Sequence, residues 1–385
     1  MKIVVVIPTY RRPKDLARCL EALQRQTRRA DEVIVVVRDT DTETWTFLET
    51  FQPQSGSDSD VDSQDISPTT LWGATGDQAL TEEYGDQLPL RTVKVTVPGV
   101  VAAMNAGLDV ESGDIIAFTD DDAAPHSDWL ARIETHFRSD ERIGGVGGRD
   151  WVYHGTELEN GDVLRGRPSV REVVGLVQWH GRVIGNHHIG AGAPREVDVL
   201  KGVNMSFRRS AIRGLHFDGR MRGTGAQVHF EIAFSLALRR TGWKLIYDPM
   251  VAVDHYPAQR FDEDQRNSFN DIALINAVHN ETLVLLEHLP PVRRTIFLLW
   301  ATLVGTRDAL GLFQWLRFLP KQGRLAGQKW LASLRGRLQG WLSWQQYSGS
   351  HLNQRQNLTP PAPFPCREGG VILLPRVGEE LKERS

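Results

Sequence analysis

Residues 2–37 read KIVVVIPTYRRPKDLARCLEALQRQTRRADEVIVVV. Residues 2–7 are nearly all β-branched and stop at Pro8, the pattern of a strand buried on both faces. Pro13 stands where proline opens a helix. Leu16, Cys19, Leu20 and Leu23 then recur at helical spacing, with Arg and Lys on the other face. Residues 32–37 form a second buried run. Strand, helix and strand in that order predict a right-handed βαβ crossover, and so an α/β fold with a mostly parallel central sheet between flanking helices. Pro8, Thr9 and Tyr10 close the first strand at the edge where such sheets bind ligands. Arg11 and Arg12 follow, either as phosphate contacts or as solvated charges.

Farther along, residues 113–126 read GDIIAFTDDDAAPH. The apolar run 115–118 has the length of a buried strand, and it ends in Asp120, Asp121 and Asp122. Asp120 and Asp122, two apart, are expected to converge on one side of the strand end. Like charges held that close need a proton or a divalent cation. All-oxygen ligands suit Mg²⁺ or Mn²⁺, completed by a substrate's phosphates. A solvated acidic turn capping the helix that starts at Ser127 is the competing reading.

The chain has 385 residues, enough for one large domain with an appendage or for two domains. A net charge of −3 gives no basic field that would point to nucleic acid. Cys19 and Cys366 form neither a disulfide framework nor a metal-ligand spacing, which favours a reducing compartment. The N-terminus lacks the pattern of a signal peptide, and no clean run of about 18–20 apolar residues reads as a membrane span. A cytoplasmic protein is expected.

Residues 52–90 are rich in Ser, Asp, Gln, Thr and Gly. From 52 to 89 they hold no Lys or Arg, and they read as a disordered surface insertion. Residues 91–97 alternate as a strand, and Pro98-Gly99 turn the chain into a helix carrying Met104, Asn105 and Leu108. Trp129 or Leu130, Ile133 and Phe137 give the helix after Ser127 its apolar stripe. A Gly-rich strand at 143–152 and a loop-rich stretch at 153–195 follow. Residues 197–207 read as a strand interrupted at Lys201-Gly202-Val203-Asn204, where Gly permits close approach. A helix at 229–240 carries Glu231 near its start, and strands follow at 243–247 and 251–255. Residues 266–345 read as helical, with an apolar run at 295–315 and then Arg and Lys interleaved with Phe and Trp. No acidic residue stands between Asp308 and Glu368. Such a segment fits either an anionic membrane surface, met by residues 290–345 from the cytoplasmic side, or a helical bundle with a solvated basic face. Residues 346–385 read as a loose tail.

The stretches VVIPTYRRP, EVIVVV, GDIIAFTDDD, LKGVNMSFRRSA and HFEIAFSLALRRTGWKLIYDP followed by VAVDH resemble, in order and spacing, the family 2 glycosyltransferases of the GT-A fold. The likeness spans roughly residues 1–260 without the insertion, and it implies a GT-A catalytic domain over 1–265. It implies transfer of a sugar, usually with inversion, from a nucleotide-diphosphate donor to the hydroxyl of a glycan, polysaccharide or lipid-linked acceptor, with a divalent metal. The same resemblance places donor ribose and sugar near Asp120, with Asp121 beside it, and the metal mainly on Asp122 with His255 as a further ligand. The Pro8-Thr9-Tyr10 loop is expected around the base, with Arg12 toward phosphate. Family members end the second strand in an Asp pair. Here Val37-Arg38-Asp39 stands instead, with Asp39 the choice for base contact and Asp41 the alternative. Met104 replaces an Arg that many relatives carry just before Asn105, itself assigned to the donor side. The aligned general base is Glu231, where relatives usually have Asp, and a first-turn Glu often serves only the helix dipole. Gly202 and Asn204 are assigned to the acceptor side. The rivals are a catalytically degenerate GT-A scaffold at a membrane and an Asp-dependent phosphatase. The second lacks the Thr or Val expected two residues after its second Asp, where Ala124 stands.

Overall fold

The computed structural model describes residues 1–51, 88–154, 157–158, 173–265 and 268–352. Most of the acidic insertion and of the C-terminal tail lies outside them. The chain opens with β1 (Ile3–Thr9), α1 (Pro13–Gln24), β2 (Glu32–Arg38), α2 (Thr42–Phe51), β3 (Leu90–Val95), α3 (Val100–Val110) and β4 (Ile115–Thr119). These four strands are parallel in the order β3-β2-β1-β4, as the βαβ pattern predicts.

Period-two alternation sorts the strand side chains onto two faces. Ile3, Val5, Ile7, Val33, Val35, Val37, Ile115 and Ala117 pack with Leu16, Leu20 and Leu23 of α1. On the other face Val4, Val6, Ile34, Val36, Ile116 and Phe118 pack with Met104 and Leu108 of α3. Helices on both faces leave the strands no polar side, which explains their uniform apolar character.

The second half adds β5 (Ala123–Pro125), α4 (Trp129–Ser139), β6 (Ile143–His154), the two-residue strands β7 (Glu157–Leu158), β8 (Leu176–Val177) and β9 (Val183–Ile184), then β10 (Arg195–Val197), β11 (Asn204–Arg208), α5 (Phe230–Arg240) and β12 (Lys244–His255). The sheet continues from β4 through β11, β6 and β12 to β10, with β11 antiparallel to both neighbours and β12 parallel to β6. Trp129, Ile133 and Phe137 of α4 are buried together, as their spacing requires. The helix starts after Asp128, which gives no side-chain cap, rather than on a Ser127 cap.

Two strand expectations change. Residues 243–247 and 251–255 belong to one strand, β12, whose pairing with β6 is irregular between Asp248 and Val253. A Cβ on Gly148 would stand 1.7 Å from the Val251 carbonyl oxygen at that irregularity, so only glycine allows the two backbones to approach there. Residues 197–207, expected as one interrupted strand, divide into β10 and β11, because Asn204 N–H bonds back to Lys201 C=O (2.9 Å) in a turn.

Four helices end the described chain: α6 (Asp271–His288), α7 (Pro291–Leu303), α8 (Leu312–Gln322) and α9 (Arg324–Leu352). The apolar run 295–315 is broken by the turn at Gly305, whose φ is +71°. Arg337 of α9 joins Glu281 of α6 at 2.6 Å, and Trp315 stacks on Trp330 at 4.5 Å. None of the α8 side chains is buried. Among the described residues no helix is long and apolar enough to cross a membrane.

Candidate active site

Buried β4 delivers Asp120–Asp122 to the carboxyl edge of the parallel strands. The three-residue β5 then pairs antiparallel with the end of β12, with Ala123 opposite His255. That register sets the imidazole beside the preceding carboxylate, with His255 Nε2 at 3.4 Å from Asp122 Oδ1. Ligand atoms of Asp120, Asp122 and His255 all lie within 4.8 Å of one another.

The two oxygens of Asp122 differ. Oδ2 accepts the Ala258 N–H (2.9 Å), whereas Oδ1 is buried without a hydrogen bond, as are both ring nitrogens of His255. Buried polar atoms held only by long ion-pair contacts, here 3.4 and 3.7 Å, are incompletely compensated for their lost hydration. Here they converge with two carboxylates, the donor set of a divalent cation. One nitrogen among oxygen donors suits Mn²⁺ somewhat better than Mg²⁺.

Asp121 serves the architecture. Its Oδ2 accepts from Thr9 Oγ1 (2.8 Å) and its Oδ1 from Arg12 Nη1 (2.9 Å). Arg12 also donates through Nε and Nη2 to Gln259 C=O (3.1 and 2.8 Å). The guanidinium thus ties the β1 loop to the segment after β12. Burial, strengthened by the Asp122 charge, pushes the Asp120 and Asp121 carboxyls above the usual carboxylate range. Burial works the same way on Asp122, but His255, the Ala258 N–H and Arg12 outweigh it and hold Asp122 below that range. Burial alone would lower His255, yet Asp122, Asp150 and Asp120 raise it. The sum follows from putting three carboxylates beside two cationic groups in a water-poor edge.

These groups open onto a cavity of about 440 Å³. Pro8, Thr9, Tyr10, Arg12, Asp120, Asp121, Asp122, Gly202, Glu231 and His255 all line it. Glu231 enters from the first turn of α5, and burial pushes its carboxyl upward. A Cβ on Gly202 would meet the Phe230 ring at 2.9 Å, so this glycine leaves room for the wall that carries Glu231.

Three expected residues are not brought there. Asn105 donates to Phe217 C=O (2.9 Å) and accepts from Phe217 N–H (2.8 Å), which occupies its amide in the fold. Asn204 accepts from Trp129 Nε1 (2.9 Å) and donates to Val251 C=O (2.8 Å), joining α4 to β12. Asp39 lies beside Arg38 at 3.4 Å, and it is Arg38 that lines the cavity. The alternative, Asp41, is buried and accepts from Arg11 N–H (2.5 Å), Thr44 N–H (3.2 Å) and Thr44 Oγ1 (2.7 Å), clamping the first loop to α2.

Lys201, Arg38, Arg260 and Phe261 line the cavity and were not singled out from sequence. Neither was Asp150, fully buried at the end of the glycine-rich β6 run and paired with Lys201. Asp150 stands alone inside β6 (Ile143–His154), without the run of three carboxylates at a strand end that marked Asp120–Asp122, so the sequence carried no comparable signal.

A model described as glycosyl transferase family 2 matches residues 4–62 and 76–212. A glucosyl-dolichyl phosphate glucuronosyltransferase of Haloferax volcanii is 26% identical over 166 residues, which cover 41% of this chain and 47% of that protein. The match thus spans about half the length of that relative. Among solved structures, S. aureus TarS 1-349 with UDP-GlcNAc superposes with a TM-score of 0.52 at 13% identity, covering 93% of each chain. GalNAc-T7 with UDP, GalNAc and Mn²⁺ superposes with a TM-score of 0.53 at 12% identity, covering 94% of this chain and 59% of that one. At such identities the structures establish the shared fold.

Proposed function

The chain belongs to glycosyl transferase family 2, and from that premise we propose that it moves a sugar, with inversion, from a nucleotide-diphosphate donor to an acceptor hydroxyl. The observation that carries this reading is the convergence of Asp120, Asp122 and His255, with unbonded buried atoms, at the edge of a nucleotide-sized cavity. Asp122, Asp120 and His255 would hold Mn²⁺ or Mg²⁺, which when bound supplies a Lewis acid to the departing diphosphate. Thr9 and Arg12, fixed on Asp121, hold the loop that faces the nucleotide. Tyr10 and Phe261 meet edge to face at 6.1 Å, apolar ring surface suited to a base. Arg38, Lys201 and Arg260 supply cationic charge at the wall. Glu231 takes the acceptor's proton as the hydroxyl oxygen bonds to the anomeric carbon. The bond from that carbon to the diphosphate oxygen breaks, and its electron pair leaves with the nucleotide.

A degenerate scaffold draws its support from Met104 and from Glu in place of Asp. Met104 is wholly buried in the core under α3, and four cationic side chains, Arg12, Arg38, Lys201 and Arg260, already line the cavity. Thermal unfolding with nucleotide-sugars in Mn²⁺ tests the two readings. A ligand confined to the native state raises stability by about 2.7 kcal/mol at a hundredfold excess over Kd. UDP-sugars are the first probes, since the TarS and GalNAc-T7 structures hold UDP-GlcNAc and UDP. No metal-dependent shift with any nucleoside diphosphate would end the transferase reading.

The acceptor reading is lipid-linked, in line with the printed name of the Haloferax volcanii relative. The protein would sit on the cytoplasmic face of an anionic membrane. Phe313, Leu316 and Leu319 of α8 are 58%, 50% and 40% exposed along one helix face, with Arg317 and Lys321 on the same helix. Each basic residue near an anionic surface contributes about 1 kcal/mol. The full chain is expected to sediment with phosphatidylglycerol vesicles and to be released by F313D/L316D. Equal binding to neutral phosphatidylcholine, or no effect of the double variant, would refute the surface.

A further inference from the structure

Asp150 has no part in the steps above, yet it is the most enclosed carboxylate beside the cavity, with 0% exposure. Pairing between β6 and β12 lapses after Asp248 and resumes at Val253, opposite Asp150. That resumption sets Asp150 between two side chains of the site. One is Lys201, whose Nζ donates to Asp150 Oδ2. The other is His255, whose Nδ1 stands 3.7 Å from the same oxygen. His255 Nδ1 is buried without a hydrogen bond, and its 3.7 Å approach to Asp150 Oδ2 lies just beyond hydrogen-bond length.

A stabilising role alone does not account for the arrangement. Taking a carboxylate out of water costs several kcal/mol, and buried ion pairs are often no better than apolar side chains of similar volume. Lys201 is 35% exposed and could be solvated without a partner. What Asp150 does impose is direction. In the neutral ring that a cation ligand requires, Nδ1–H turned toward Asp150 leaves the Nε2 lone pair on the side of Asp122, 3.4 Å away. Lys201 meanwhile is drawn to the wall next to Gly202, in the turn that approaches Glu231.

We propose that Asp150 is a positioning residue that orients the His255 ring, presenting Nε2 to the Asp120–Asp122 carboxylates, and that it holds Lys201 at the cavity wall. This deepens the transferase reading and rests on it. Carboxylates that fix a ligating histidine typically change metal affinity 10- to 100-fold when altered.

The experiment is a double-mutant cycle on the full chain, read as Mn²⁺ affinity by electron paramagnetic resonance without nucleotide. In Asp150→Asn the amide oxygen stays on the Lys201 ammonium, and His255 Nδ1–H, which approaches that same oxygen, is left with an uncharged and weaker acceptor. Mn²⁺ Kd is expected to rise about 10- to 100-fold. In a His255→Ala background the same change is expected to have no further effect, which a general structural defect would not reproduce. Asp150→Leu/Lys201→Met, which replaces the buried pair by apolar groups, should fold and show the same loss; it decides the matter if Asp150→Asn does not fold. An unchanged Mn²⁺ Kd, or equal losses with and without His255, overturns the proposal while leaving the transferase reading intact. Wild type that binds UDP-sugar but no Mn²⁺ overturns the proposal as well. Wild type that binds neither overturns both.

Discussion

Asp122→Asn is expected to lower turnover by about a thousandfold or more and to erase the Mn²⁺ dependence of nucleotide binding. Removing one preorganised electrostatic contact to a developing charge costs about 10²–10³ in rate, and Asp122 would contribute both its own contact and the cation's hold on the diphosphate. Asn keeps an oxygen for the Ala258 N–H, which Ala would not, so loss of function is separated from loss of the loop anchor. The stability effect has opposing parts. Asp122 is held below the usual carboxylate range, so its pairing with His255 stabilises the fold above the unfolded pKa, and that contribution fades as pH falls toward the folded value. The substitution also relieves Asp120 and Asp121 of a like charge. The midpoint of unfolding at neutral pH should therefore move little while activity vanishes. Metal-dependent binding that survives in Asp122→Asn would remove Asp122 from the metal site.

Glu231→Gln is expected to leave UDP-sugar affinity near that of wild type and to reduce kcat by about 10²–10⁴, the usual share of a general base. The pH profile gives an independent check. Burial pushes the Glu231 carboxyl above its ordinary value of about 4.3. A base must be ionised to work, so kcat/KM should fall as pH drops through that raised value, on the neutral side of an unperturbed Glu. The variant's residual rate should lack this acid limb. Unchanged turnover would shift the role to Asp262, the other carboxylate on that side of the cavity, which already accepts the Ala226 N–H (2.8 Å). Asp218 and Asp254 are poorer substitutes, being paired with Arg220 (2.7 Å) and His126 (3.1 Å) and absent from the cavity lining.

Much of the fold could be read from sequence because β1, β2 and β4 are apolar on both faces, and only a sheet covered on both sides buries such strands. The Asp cluster was legible for the same reason, since carboxylates that end a buried strand must stand at its rim. What could not be read depends on contacts distant in sequence. The three-residue β5 is too short to carry a period, yet its register with β12 makes His255 a neighbour of Asp122. Asn105 and Asn204 sit in stretches that match the family, but an amide bonds equally well to a ligand or to a backbone, and here Phe217, Trp129 and Val251 have claimed both. Asp41 differs from Asp39 only by lying where Arg11 and Thr44 can reach it.

Gly148 has no chemistry of its own, yet heritable variation would meet it as a bottleneck. Every substitution there puts a carbon where the Val251 carbonyl stands, and the strand it displaces is the one that ends at His255. A selection for soluble expression would pass changes at Asp120 and reject those at Gly148. A selection for sugar transfer would reject both, so comparing the two pools separates residues that build the rim from residues that use it.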